Sequence, residues 1–219
     1  MDHSARPLAT LCGWLALLFC GSTTFAISAV LGDEPGTASA SSPLDARPLP
    51  AISRVDLRGV EHTTTDWRRH SAVVLVFLGS ECPVSNGYSP ELARLAEAFA
   101  KRGVVLYGVH SDPTLSTADA VAHSAEYGLK FPILLDADQQ LARACGARTM
   151  PEAVVLSKEG KLVYRGRIDD RYATSGKRRD EPTTHDLSAA VDAVLAGKPP
   201  AVSQTKVFGC PLPKAKAEN

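Results

Sequence analysis

The chain has 219 residues, 44% of them hydrophobic and 22% charged, with Lys+Arg and Asp+Glu both at 24 and a formal net charge of zero. After a leader and a tail are set aside, that length holds one domain with a full core. No block of like charge argues for a polyanion partner, the short basic cluster of Lys177, Arg178 and Arg179 reading as a solvated loop rather than a docking patch, and no nucleic-acid partner is expected.

Residues 7–32 carry no charge until Asp33, and 8–19 are strongly apolar. This stretch resembles a secretory signal, and it is also long enough to stay as a membrane anchor; both outcomes remain open. Either one delivers the rest of the chain outside the cytoplasm, to a periplasm or to the medium, with a membrane tether in the second case. Residues 33–50 are rich in Gly, Ala, Ser and Pro without periodicity and read as a flexible linker. The ordered domain is expected over 51–198, with 199–219 as an extended tail.

Within the domain, 52–67 reads as a short strand or hairpin, and 73–78, all β-branched or large apolar, as a buried parallel strand. A helix with the stripe Leu92, Leu95, Ala96 and Phe99 follows, interrupted by Pro90 and closed by Gly103. A second strand spans 104–109. Ser116 then caps a helix whose apolar face is assigned to Ala118, Val121, Ala122 and Ala125. A strand at 131–135, a short helix at 139–145, a hairpin of 153–156 with 162–168, and a last helix through Leu187, Ala190, Val191, Val194 and Leu195 complete the chain. The order β-α-β-α-β-α-β-β-α implies parallel crossovers first and an antiparallel hairpin last. The fold class is therefore α/β, a mixed central sheet with helices on both faces.

Five cysteines are present, and Cys12 and Cys20 fall in the leader. Cys82, Cys145 and Cys210 remain, an odd number that suits a reactive thiol better than a disulfide framework. Cys82 follows the 73–78 strand and precedes Pro83, which suits the first position of a helix. It thus stands at a helix N-terminus, where unpaired N–H groups favour an anion, and the thiolate is the nucleophilic form of cysteine. Cys82 is the candidate nucleophile, expected to be exposed at the carboxyl edge of the sheet, against the alternative of an inert thiol. Glu81 beside it either opposes ionisation or accepts a proton. Cys145 reads as a small buried apolar residue. Cys210, in Phe208-Gly209-Cys210-Pro211, is the candidate resolving thiol, brought to Cys82 by a flexible tail; a static staple and an unpaired thiol are the other readings. His110 is a cleft-lining or a satisfied loop histidine, and Asp169 and Asp170 form a turn with Arg171 or assist proton transfer.

Strand, Cys82-Pro83-Val84-Ser85, and a helix broken by Pro90 resemble the redox corner of the thioredoxin-like superfamily. Thr149-Met150-Pro151 before the apolar run 153–156 is similar to that family's cis-proline loop. Glu81 to Asn86 and Tyr164 to Asp170 resemble secreted redoxins of the alkyl-hydroperoxide-reductase/thiol-specific-antioxidant type. The resemblance implies a thioredoxin-like fold and a thiol oxidoreductase with antioxidant, peroxiredoxin-like or disulfide-exchange activity. It further implies a cis Met150-Pro151 bond, with Pro83, Met150 and Pro151 shaping a backbone edge that pairs with an incoming substrate chain. Arg148 either stabilises the reactive thiolate, as an arginine does in peroxiredoxins, or is a surface residue. Two departures bear on the chemistry. Ser85 stands where a dithiol enzyme has its second cysteine, so it hydrogen-bonds a Cys82 thiolate or caps the helix but cannot resolve a disulfide. Leu75 and Gly79 stand where peroxiredoxins carry a proline and a threonine. No metal-binding or haem-attachment spacing is present, and no cofactor is expected. The partners implied are a protein disulfide, a thiol donor or a peroxide. The rival reading is a non-catalytic thioredoxin-fold module that holds a redox or haem-protein partner.

Overall fold

A computed structural model describes Leu44, residues 48–172 and residues 178–214. The leader and most of the linker lie outside the described residues. Residues 48–50 pack onto the domain, with Pro48 bridging Lys161 and the Leu49 N–H donating to the Gly160 carbonyl at 3.0 Å.

The N-terminal pair β1 (Ser53–Val55) and β2 (Glu61–Thr63) is an antiparallel hairpin followed by a turn of 3-10 helix, Asp66–Arg69. The central sheet holds β3 (Ala72–Phe77), β4 (Val104–His110), β5 (Ile133–Leu135), β7 (Glu152–Ser157) and β8 (Leu162–Gly166), in the order β5-β4-β3-β7-β8. β3 runs parallel to β4, and β4 to β5, while β3–β7 and β7–β8 are antiparallel. A separate two-stranded sheet joins β6 (Thr149–Met150) to β9 (Cys210–Pro211).

Side chains alternate across β3, and its two faces feed two cores. Ala72, Val74, Val76 and Leu78 face α2 (Ser89–Ala100) and α5 (Asp186–Leu195), burying Leu92, Leu95, Phe99, Leu187 and Val191. Val73, Leu75 and Phe77 face Trp67 and α4 (Gln140–Cys145), where Leu141, Ala142 and Cys145 are buried. Helices therefore cover both faces, and a strand buried on both sides reads as a continuous apolar run.

The assigned face of α3 (Thr117–Glu126) is corrected. Ala118, Val121, Ala122 and Ala125 are exposed, and Ala120 and His123 are buried instead. Alanines gain little from burial, so their spacing fixes no orientation. The His123 ring, packed on His110 with centroids 5.2 Å apart and on Tyr127 at 4.9 Å, sets the helix's rotation. β8 also ends two residues before the expected 168, because the Arg167 N–H turns to Thr205 Oγ1 at 2.9 Å instead of continuing the ladder.

Candidate active site

Cys82 is the N-cap of α1 (Pro83–Gly87), the short helix that receives the chain from β3, and Pro83 lies exposed within its first turn. The Ser85 N–H points at Cys82 Sγ over 3.5 Å, and the thiol donates to the Met150 carbonyl at 3.3 Å. α2 begins at Ser89 after its N-cap Tyr88, with Pro90 in the first turn, which separates it from α1. The Met150-Pro151 peptide is cis. Gly79 permits the close fit: a Cβ there would stand 3.0 Å from both Cys82 Cβ and Met150 Cε.

Several expectations are corrected at this corner. Cys82 is buried, at 3% relative exposure, rather than open at the sheet edge. The Ser85 hydroxyl neither meets the sulfur nor caps the helix. It accepts from the Gly79 N–H at 3.1 Å, tying the end of the β3 loop to α1. Arg148 is exposed; its backbone N–H binds Glu152, and its carbonyl accepts from the Leu212 N–H at 2.8 Å. Among the described residues no hydrogen bond or ion pair joins its side chain to Cys82.

Cys210 reaches Cys82 by strand pairing, not by flexibility. Residues 203–213 lie along β8 and then β6, with Met150 opposite Cys210 in an antiparallel ladder. Cys210 is half-buried; burial first, and then the neighbouring Cys82, push its thiol up to about 11. Both sulfurs are free thiols, as is Cys145. Cys145 is enclosed in the core beyond reach of solvent, and burial pushes its thiol strongly upward. The edge of Met150 expected to receive a substrate chain is thus paired with the protein's own C-terminal segment.

His110 ends β4 and is 2% exposed. Its Nδ1–H donates to the Leu78 carbonyl at 3.2 Å, and burial, aided by nearby His123, lowers its pKa to about 4. His123 Nε2–H donates to Asn86 Oδ1 at 2.9 Å, and Asn86 Nδ2 donates to the Ser80 carbonyl at 2.9 Å. The two histidines and Asn86 therefore clasp the loop between β3 and α1 from behind. Asp169 accepts from Tyr88 Oη at 2.5 Å and from the Arg171 N–H at 2.8 Å; Asp170 accepts from the Thr184 N–H at 3.0 Å and from Thr183. Those hydrogen bonds hold the β8–α5 connection onto α1 and direct neither carboxylate at Cys82, so the proton-transfer reading is dropped.

Sequence reading missed three supports. Glu152, 6% exposed, accepts from the Arg148 and Thr149 N–H groups at 2.8 and 3.1 Å and pairs with Arg165 at 3.5 Å. Gln139 Nε2 donates to the Ser111 carbonyl at 2.8 Å and to the Pro213 carbonyl at 2.6 Å. Gly209 lies against the Met150 carbonyl, where a Cβ would come within 2.0 Å. Signals existed: an acid leading into an apolar strand needs a partner, and a glycine beside a cysteine marks close backbone approach.

A cysteine at a helix N-terminus facing a cis-proline peptide, on a sheet of this order, defines a thioredoxin-like redoxin. The thioredoxin domain of a thiol-disulfide oxidoreductase from Bacteroides vulgatus shares the fold, with a TM-score of 0.51 at 22% identity over 67% of this chain and 94% of that one. Residues 46–165 match the AhpC/TSA family, and the chain belongs to it. A hypothetical protein of Sinorhizobium meliloti 1021 superposes with a TM-score of 0.70 at 31% identity, covering 81% of this chain and 97% of that one. The thiol-disulfide oxidoreductase ResA of Geobacillus thermodenitrificans is 32% identical over 108 residues, 49% of this chain and 60% of the relative's length. The chain thus spans about three-fifths of that curated relative. No described helix is long and apolar enough to cross a membrane.

Proposed function

We propose that the protein is an extracytoplasmic thiol-dependent oxidoreductase in which Cys82 is the nucleophile and Cys210 the resolving thiol. The observation that carries this reading is the placement of Cys210 opposite Met150, whose carbonyl accepts from the Cys82 thiol at 3.3 Å. The Cys82 thiolate attacks a disulfide R–S–S–R′, forming Cys82–S–S–R and releasing R′S⁻. Cys210 gives up its proton and attacks the Cys82 sulfur, which expels RS⁻ and closes a Cys82–Cys210 bond. The substrate gains two electrons and the protein loses two, to be returned by an external thiol donor. Ser85, Pro83, Met150 and Pro151 shape the corner: the Ser85 N–H faces the sulfur, and its hydroxyl fixes the loop.

Disulfide exchange fits better than peroxide reduction. The peroxiredoxin threonine position is Gly79, and Arg148 is exposed rather than aimed at the sulfur. A second thiol on the strand paired with Met150 also favours an enzyme over a passive binding module. Delivery outside the cytoplasm is supported by the apolar leader, and the ResA relatives' name, thiol-disulfide oxidoreductase, accords with the chemistry.

The test is stopped-flow reduction of a model disulfide and of hydrogen peroxide, with mass mapping of the oxidised protein. The expected result is a Cys82–Cys210 link and loss of turnover in Cys82→Ser. If Cys82→Ser changes neither reaction, the reading fails.

A further inference from the structure

The C-terminal segment is fastened at both ends of its run past the active corner. The Arg165 N–H donates to the Ser203 carbonyl at 3.0 Å, and the Thr205 N–H donates back to the Arg165 carbonyl at 3.2 Å. Thr205 Oγ1 lies 2.9 Å from Tyr164 Oη and accepts from the Arg167 N–H. At the far end the Leu212 N–H donates to the Arg148 carbonyl, Gln139 holds the Pro213 carbonyl, and Leu212 packs on the core behind β3. Between these anchors β9 satisfies the backbone edge of β6, the edge that an extended polypeptide would need for strand addition.

Gly209 is what lets the segment lie so close. A Cβ would meet the Met150 carbonyl oxygen at 2.0 Å and its carbon at 2.7 Å, both backbone atoms that cannot swing away. The seat is built for this segment. The two sulfurs differ in access, Cys82 being 3% exposed while Cys210 is half-buried.

We propose that β9 is a resident occupant of the substrate edge, which keeps extended polypeptide disulfides from Cys82 until the strand opens and makes Cys210 the sulfur that an outside thiol attacks when the Cys82–Cys210 bond is reduced. This deepens the Cys82–Cys210 reading and rests on it. In the reductive half-reaction an outside dithiol attacks Cys210 Sγ of the Cys82–Cys210 bond. That bond breaks with its electron pair on Cys82 Sγ, and a new bond joins Cys210 to the donor. The donor's second thiol then attacks the donor sulfur, releasing Cys210 as a thiolate. The donor departs as a disulfide; the protein has gained two electrons, and the donor's two protons restore the thiols. The opposite attack, on Cys82, would expel the Cys210 thiolate. It would require a path to the covered sulfur.

Insulin serves as the polypeptide disulfide, and the trapped cysteine is identified by peptide mass mapping. Oxidised wild type treated with glutathione is expected to carry the glutathione adduct on Cys210, and an adduct on Cys82 would overturn that assignment. In the full chain, Cys210→Ser, with the strand still seated, is expected to trap insulin at Cys82 about tenfold or more slower than its strand-released derivatives, since the strand must first open. Adding Gly209→Val to Cys210→Ser should restore fast trapping at Cys82. Leu212→Asp in the same background, which frees a different anchor, should do so too, with circular dichroism confirming a folded domain. Equal trapping rates with and without these strand-releasing changes would overturn the proposal. The parent reading has its own readout, the Cys82–Cys210 link in the oxidised wild type, so the two can fail separately.

Discussion

Replacing Glu152 with alanine should loosen the active corner from below. The carboxylate is 6% exposed and accepts two backbone N–H groups, from Arg148 and Thr149, at 2.8 and 3.1 Å, with Arg165 at 3.5 Å on its other side. A hydrogen bond to a charged group contributes about 1.5–3 kcal/mol, so the pair of bonds sets a ceiling of about 6 kcal/mol. Arg148 is exposed and Thr149 half-buried, so water can reach their N–H groups once the carboxylate is gone. That relief brings the expected loss to about 3 kcal/mol. In urea, with a slope of about 2 kcal/mol/M, the midpoint should fall by about 1.5 M. Glu152→Gln keeps a carbonyl oxygen in place and should lose about half as much. Because the same carboxylate orients β6, formation of the Cys82–Cys210 bond after oxidant addition should slow in step with the stability loss. Equilibrium urea unfolding and quenched-flow thiol counting give the two numbers. A midpoint shift in Glu152→Ala below about 0.3 M would refute the assignment of Glu152 as the brace of the cis-proline loop.

Acidification should cost stability through His110. Its folded pKa is lowered to about 4 from 6.5, so between those values the unfolded chain binds the proton and the folded one does not. The contribution is complete above about pH 6.5 and is lost as pH falls toward 4, amounting to about 3 kcal/mol; urea midpoints across that window should fall steeply in wild type and less so in His110→Gln. Cys210 gives the opposite direction, since its thiol is pushed up to about 11. Its alkylation by iodoacetamide should still be rising at pH 10, and in Cys82→Ala the profile should move toward that of an ordinary thiol; a wild-type plateau below pH 10 would mean that burial and Cys82 do not hold this thiol up.

The central strand, the cysteine at a helix start and the proline loop were legible because each is a local pattern. An apolar run with alternating neighbours, Pro83 after Cys82, and Thr149-Met150-Pro151 before a second apolar run are all set by residues a few positions apart. The face of α3 was not legible, because four small alanine and valine positions compete weakly with one histidine whose partners, Asn86 and His110, lie on other elements. The same holds for Ser85: its type suggested a sulfur partner, yet its hydroxyl is claimed by the Gly79 N–H.

By itself the amino-acid sequence determined the α/β class, the candidate nucleophile and the absence of a second thiol at the fourth position of its motif. Only the tertiary structure decided that Cys82 is covered, that Arg148 faces outward, and that Cys210 stands opposite Met150. Those outcomes depend on contacts between segments far apart in the chain, where backbone N–H and C=O groups of the tail find partners on β8 and β6. Hydrophobic periodicity records which face of an element is buried, but it carries no information on which distant edge a polar, irregular segment will pair with.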